Sequence, residues 1–472
     1  MASRKDLLKA HKFTADRLVK ALVTRDPDQL DQPLRRSSMG IFASIMIAVV
    51  VMAGFGVVGL LKPGNNTTWK QSETLVVIDS EAGQVYWYRN PTLYPMTNIT
   101  SAKLAAATDD GAPAEVVSLK SKSLQGVERG PVLGIPEAPR QLPRTEDLGL
   151  YPVQVCATAP DAARDNQRHT TLRFGEGAEA TADRSVPVFL VDGQGNEYLV
   201  ADGVAHRVPK QDKAEQSALS VMLRYPRFTG AYGLLSTIPV GSELTPERIL
   251  DGVDDLGDDA GRTVGKAAKV GDLVQAADGS STYVLLSGGL AEIRPLEFKV
   301  LENAGHPVSE VPSGEIALNM GPQEASPAAG DLPTDLPPEP TEPGMVEGPL
   351  CATWSDEGEA PSLSIDITPP EYTLNDGDEP DPRQAVVVSS LPGKGALLAN
   401  TLTTGDPQTG ILLVDGHRYP IADRVALSAL GYGEVEMSRT STAIINLIPV
   451  GLPDGAPLST DRAGCGESGC PT

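Results

Sequence analysis

ILLVDGHRYPIADRVALSALGYG, residues Ile411 to Gly433, holds in order an aliphatic strand, a glycine turn, a second strand and a short helix. Ile411 to Val414 form the first run, and Gly416 supplies the positive φ of a tight hairpin. Pro420 closes the second strand, because proline donates nothing to a ladder. Asp423 is a good N-cap and Gly431 a good helix stop. The same order recurs upstream in LVVIDSEAGQVYWYRNPTLYPMTNITSAKLA (Leu75 to Ala105), VFLVDGQGNEYLVADGVAHRVPKQDKAEQSALS (Val188 to Ser220) and YVLLSGGLAEIRPLEFKVLENAG (Tyr283 to Gly305). Their turns are centred on Gly83, Gly193 and Gly288, and Pro95, Pro209 and Pro295 close their second strands. A second element follows two of the copies: LLSTIPVG (Leu234 to Gly241) and IINLIPVG (Ile444 to Gly451), with VLGIP (Val132 to Pro136) read as the first-copy counterpart. Four ordered recurrences indicate duplication. They predict an α+β, β-rich body of four small repeats, a scaffold rather than a catalytic cleft.

The chain has 472 residues, too many for one ordinary core. Its net charge of −23 argues against a nucleic-acid partner, since phosphate binding needs clustered basic groups. One long apolar run, GIFASIMIAVVVMAGFGVVGLL (Gly40 to Leu61), lies between Arg36 and Lys62. As a helix it is about 33 Å long, enough for a hydrocarbon core of about 30 Å. It is too long, and too far from the start, for a cleaved signal. Residues 1–36 hold nine basic and five acidic groups, so this flank is expected in the cytoplasm and the acidic bulk outside. The expectation is a single-pass protein of the cell membrane. Residues 3–24 read as an amphipathic helix with Leu8, Ala15, Leu18, Val19 and Leu22 on one face. Two readings of that face stand open: it lies on the anionic inner leaflet, or it docks to a cytoplasmic partner subunit.

The organisation expected is a cytoplasmic helix (1–36), a transmembrane helix (37–61), repeat 1 (62–130), a first part of a central domain (131–185), repeat 2 (186–255) and repeat 3 (256–321). A stiff acidic linker with eight prolines (322–349), a second central part (350–405), repeat 4 (406–451) and a tail (452–472) follow. TPPEYTLNDGDEPDPR (Thr368 to Arg383) reads as a surface excursion. All four cysteines lie on the oxidising side, and the pairs expected are Cys156 with Cys351 and Cys465 with Cys470.

Residues for chemistry are sparse. Gly261 to Ala267, GRTVGKA, falls one residue short of a phosphate-binding loop and lacks its Ser or Thr. The histidines are scattered; His206 and His417 fall in hairpins read as equivalent and are expected to face solvent. The run Asp251 to Asp259 lacks an EF-hand spacing and reads as a solvated loop. No catalytic residue, cofactor or metal site is expected.

The stretches AHKFTADRLVKALVTRDPDQLDQPLRR (Ala10 to Arg36), TLVVIDSEAGQVYWY (Thr74 to Tyr88) and LYPMTNITSAKLA (Leu93 to Ala105) resemble the EccB family. That family is the B component of the type VII (ESX) secretion system of actinobacteria. GIPEAP (Gly134 to Pro139), LCATW (Leu350 to Trp354) and LLVDGHRYPIAD (Leu412 to Asp423) fit it too. The resemblance implies a central β domain held by a disulfide, which Cys156 and Cys351 match. It implies a structural subunit of a six-fold membrane complex with an EccC-like FtsK/SpoIIIE ATPase and EccD-like and EccE-like subunits. Members are sometimes labelled ATPases, a label without Walker support here. An anchored cell-wall-binding module is the remaining alternative.

Overall fold

The computed structural model describes residues 4–24, 33–61, 68–108, 111–164, 166–179, 187–210, 216–322, 332, 348–365, 368–374, 379–400, 407 and 409–465. The chain divides into two compact units. One comprises Met1–Ser72, Asp79–Ala82 and Ser118–Gly126, and the other Glu73–Ile78, Gly83–Val117 and Val127–Thr472.

The first unit holds α1 (Arg4–Thr24) and α2 (Pro33–Leu61). Among the described residues no helix is long and apolar enough to cross a membrane. Side chains of α2 are described only for residues 39–53, fewer than the roughly 20 that a span requires. A small polar knot also belongs to this unit. The Asp79 carboxylate accepts hydrogen bonds from the amides of Glu81 and Ala82 and from Ser121 Oγ.

In chain order the strands and helices that follow are β1 (Thr74–Asp79), β2 (Val85–Arg89), β3 (Thr92–Pro95), α3 (Ile99–Ala105) and β4 (Val116–Leu119), then β5 (Val153–Ala157) and β6 (Thr170–Phe174). Next come β7 (Val188–Val191), β8 (Glu197–Ala201), β9 (Val204–Val208), α4 (Ala218–Leu223), β10 (Arg227–Thr229), α5 (Tyr232–Thr237) and α6 (Pro246–Ile249). The third group is β11 (Asp259–Val264), β12 (Ala267–Lys269), β13 (Leu273–Ala276), β14 (Thr282–Leu286), β15 (Gly289–Ile293), α7 (Pro295–Asn303), β16 (Val308–Val311) and α8 (Ser313–Asn319). Last are β17 (Leu350–Trp354), β18 (Ser362–Ile365), β19 (Ala385–Ser389), β20 (Ala396–Asn400), β21 (Gly410–Val414), β22 (His417–Ile421), α9 (Arg424–Leu430), β23 (Ser438–Thr440), α10 (Thr442–Leu447) and α11 (Thr460–Ala463).

Four sheets share one plan: β3-β2-β1-β4, β10-β7-β8-β9, β15-β14-β13-β16 and β22-β21-β20-β23. Each is a three-stranded meander followed by a helix and a fourth strand beside the first. In the last three sheets that fourth strand runs parallel to the first. The repeating unit is therefore larger than a hairpin and helix. Copies three and four begin one strand before Tyr283 and Ile411, at β13 and β20. Ala396–Asn400, which the sequence reading assigns to the central part, pairs with Gly410–Val414 in the sheet of repeat 4.

This phase change corrects several readings. The positive φ values fall at Gly195 and Gly289, not at Gly193 and Gly288. Pro420 does not close its strand: it pairs with Ile411 inside β22. It is tolerated there because β22 is the edge of its sheet and no ladder bond needs its nitrogen. Asp423 does cap α9, accepting from the amide of Ala426 at 2.8 Å, and Gly431 ends that helix at φ +95.

The third strand of every sheet carries one more short partner. Parallel bridges join Leu93 to Arg129, Ala205 to Val240, Leu290 to Met320 and Arg418 to Val450. A glycine follows each bridge: Gly130, Gly241, Gly321 and Gly451. The first-copy counterpart of IPVG is thus ERG (Glu128 to Gly130), not VLGIP. Leu133 of VLGIP bridges Met96 as Leu458 bridges Ile421. A Cβ added at Gly130 would fall on the Tyr94 ring, and one at Gly451 on the Tyr419 ring. We expect Gly451→Ala to cost about 1–3 kcal/mol through forced repacking. The urea midpoint of the variant checks this, and an unchanged midpoint would refute the reading.

A fifth sheet, β18-β17-β5-β6-β19, is built from both sides of repeats 2 and 3. Its inner face carries Val155, Leu172, Phe174, Ala352 and Leu363, packed with Phe228 and Leu234 of repeat 2 and Ile444 and Ile448 of repeat 4. Most of the linker lies outside the described residues. Leu332 within it is buried with the core of repeats 2 and 3, and its carbonyl accepts from Arg294 Nη1, so the linker is pinned at that point rather than free along its length.

Candidate functional site

Repeats 2 and 3 leave the central sheet after β6 and return at β17. The returning strand β17 pairs with β5, where Cys156 lies directly opposite Cys351. A disulfide joins the two across a sequence separation of 195 residues, and both are fully buried. Beside it, Arg168 Nη1 donates to Thr158 O at 2.7 Å and to Gly348 O at 2.8 Å. Its guanidinium lies over the Phe228 ring, 5.1 Å from the centroid, and burial pulls its pKa down. Thr158 opens the loop from β5 to β6 and Gly348 lies just before β17, so Arg168 ties that loop to the returning chain. Cys465 is also in a disulfide. Cys470, its expected partner, lies outside the described residues.

Next to this loop is a cleft of about 750 Å³, lined by Thr158, Asp161, Arg164, Pro349, Tyr372 and Leu374. The amide of Ala163, then the Arg164 guanidinium, hold the Asp161 carboxyl below the usual carboxylate range. His169 is buried, with Nε2 3.6 Å from Asp161 Oδ2 and its ring edge-on to Tyr372. The nearby thiol that would serve as a nucleophile, Cys156, is oxidised. This group ties loops together: the hairpin loop between β5 and β6 is held to the returning strand and to the excursion at Tyr372.

The stretch Gly261 to Ala267 forms the hairpin between β11 and β12, not a loop leading into a helix. The amide of Gly265 donates to Glu315 Oε1 at 2.7 Å, and that of Lys266 to Ser309 Oγ at 2.8 Å. A phosphate cradle needs free amides and no neighbouring carboxylate; this turn has neither. Asp251 pairs with Arg248, and Asp259 accepts from the Gly261 amide.

His206 corrects another reading. Aligned by the bridges, it stands opposite Tyr419, not His417. It is fully buried, with Nδ1 2.9 Å from Ser242 O. The bridge from Ala205 to Val240 covers the strand edge that the sequence leaves open to water. His417 is exposed.

With this architecture in hand, a family model described as "Type VII secretion system ESX-1, transport TM domain B" (EccB) matches residues 1–472. The chain belongs to the EccB family. Among EccB relatives, the ESX-1 secretion system ATPase EccB1 of Mycobacterium tuberculosis is 25% identical over 357 residues, 73% of this chain and 70% of that one. The ESX-2 secretion system ATPase EccB2 of the same organism is 24% identical over 461 residues, 91% of this chain and 88% of that one. In a solved structure of an intact ESX-5 inner membrane complex, one chain matches with a TM-score of 0.60 and 22% identity, covering 100% of this chain and 97% of that one. The EccB3 dimer from the ESX-3 core complex matches with a TM-score of 0.59 and 20% identity, covering 82% of this chain and 99% of that one. At these identities the solved structures establish the fold.

Proposed function

We propose that this EccB protein is a structural membrane subunit of a type VII secretion complex. In this reading α2 spans the cell membrane with the N-terminus in the cytoplasm. The repeats and central sheet stand outside, oligomerise and form or support the export channel. EccC-like, EccD-like and EccE-like subunits are its partners, as the family resemblance implies. One observation supports the reading: the fold of this chain matches nearly the full length of chains from an ESX-5 inner membrane complex and an EccB3 dimer. The test is purification from native membranes in mild detergent through a C-terminal tag. A megadalton species containing an FtsK-like ATPase is expected. A lone protomer without partners would refute the reading, and its retention on insoluble peptidoglycan would favour a wall-binding module.

The name ATPase, carried by the curated relatives, motivates a second reading. Phosphate-loop hydrolysis at Gly261 to Ala267 would depend on Lys266. We expect any ATP turnover of the purified full chain to be the same in Lys266→Ala. A loss of turnover would revive the enzymatic reading.

A further inference from the structure

We propose that the apolar face of α1 lies on the anionic lipid surface of the cytoplasmic leaflet. The inference rests on the reading of α2 as a membrane span. The large apolar side chains of α1 are exposed: Leu7 is 65% exposed, Leu8 74%, Phe13 68%, Leu18 61%, Val19 47% and Leu22 81%. At 100° per residue, Leu7, Leu8, His11, Ala15, Leu18, Val19 and Leu22 fall within an arc of about 120°. Lys5 and Lys12 border that arc and Arg4 lies within it at the helix start, while Asp6, Asp16, Lys9 and Arg17 occupy the opposite side. The helix carries six basic and two acidic residues. That is the composition of a helix bound at an anionic interface, where lysine stems lie along the apolar surface and their ammonium groups reach the headgroups.

Chain length adds a constraint. Eight residues separate Thr24 from Pro33. Fully extended they reach about 28 Å, so the C-terminal end of α1 stays within about a membrane thickness of the start of α2. The chemistry of the face favours lipid over a protein groove. Protein interfaces select aromatic residues and Arg at their centres. Here the face is Leu, Val and Ala edged by Lys, with Arg4 only at its first residue, while Phe13 and Arg17 lie on the far side.

The experiment uses the full chain in nanodiscs of zwitterionic lipid and in discs containing phosphatidylglycerol. Amide hydrogen exchange of residues 4–24 is the readout, and co-elution with the discs reports the span independently. We expect slower exchange of α1 in the anionic discs, lost in high salt. Lys5→Gln with Lys12→Gln removes about thirtyfold of that protection, and Leu8→Gln with Leu18→Gln abolishes it. Phe13→Ala leaves it unchanged. Equal exchange in both discs, or protection removed by Phe13→Ala, would overturn the proposal and assign the helix to a protein partner. A chain that fails to enter neutral discs, yet protects residues 4–24 on phosphatidylglycerol vesicles, would refute the span while upholding the lipid contact.

Discussion

Replacing Cys351 by serine is expected to lower the stability of the central sheet by about 3–5 kcal/mol. The bond closes a loop of 195 residues, long enough for the chain-entropy estimate to reach its upper range of about 5 kcal/mol. Burial adds to the effect. Cys156 and Cys351 are both fully buried, so the variant places a hydroxyl and a thiol in a dry position between paired strands. The loss is local to the sheet. Amide exchange of β5 and β17 in the full chain should rise sharply, while the protection of β20 to β22 changes little. A loss of less than about 1 kcal/mol in β5 and β17 would mean that Arg168 and the ladder hold β17 beside β5 without the covalent link.

Glu197→Ala is the second large effect, at about 3–4 kcal/mol. Glu197 is fully buried at the first position of β8. One carboxylate oxygen accepts from Arg227 Nε at 2.9 Å and the other from the Ser217 amide at 2.7 Å, at the cap of α4. Alanine would leave a buried amide unmet and deprive Arg227 of its carboxylate. Glu197→Leu combined with Arg227→Met should recover part of the loss, because the charge left behind dominates the cost. The same group sets a pH dependence. Burial alone would raise its pKa, but the bonds from Ser217 and the pairing with Arg227 outweigh that and hold it below the ordinary 4.5. Its contribution is therefore complete above that value and is lost as pH falls through the lower folded value. Glu197→Gln should flatten the fall in urea midpoint on acidification in that window. An acid limb as steep as that of the unmodified protein would refute this assignment.

The plan of strands, glycine turns and caps was legible where local chemistry is strong. Asp423 and Gly431 bound their helix in the sequence and in the fold alike. Phase was legible only in part. β20 and β21 are joined by TLTTGDPQT, residues 401–409, a long polar connection without the compact turn that marks a hairpin. β13 and β14 are joined through Asp278 and Gly279, a usable turn signal, but LVQA before it is short and weakly patterned. The bridging segments were harder still. Gly130, Gly241, Gly321 and Gly451 share only a glycine, and their equivalence rests on main-chain pairing. The burial of His206 follows from that same pairing and so could not be read from the alternation of β9. The clamp on β17 was half visible: the cysteines stand out in sequence, whereas nothing near Arg168 marks it as the residue that reaches Gly348.

The interrupted central sheet also sets a schedule for biosynthesis. β5 and β6 are made first, and their partner β17 comes nearly two hundred residues later. At about 5–20 residues per second, the Cys156 thiol waits roughly 10–40 s for Cys351. Repeats 2 and 3 have time to fold in that interval, before β17 returns to pair with β5. When Cys351 arrives it is the first other cysteine the chain has made, since Cys465 and Cys470 follow only after the last repeat. Order of synthesis therefore favours the correct bond, since Cys351 precedes Cys465 by more than a hundred residues.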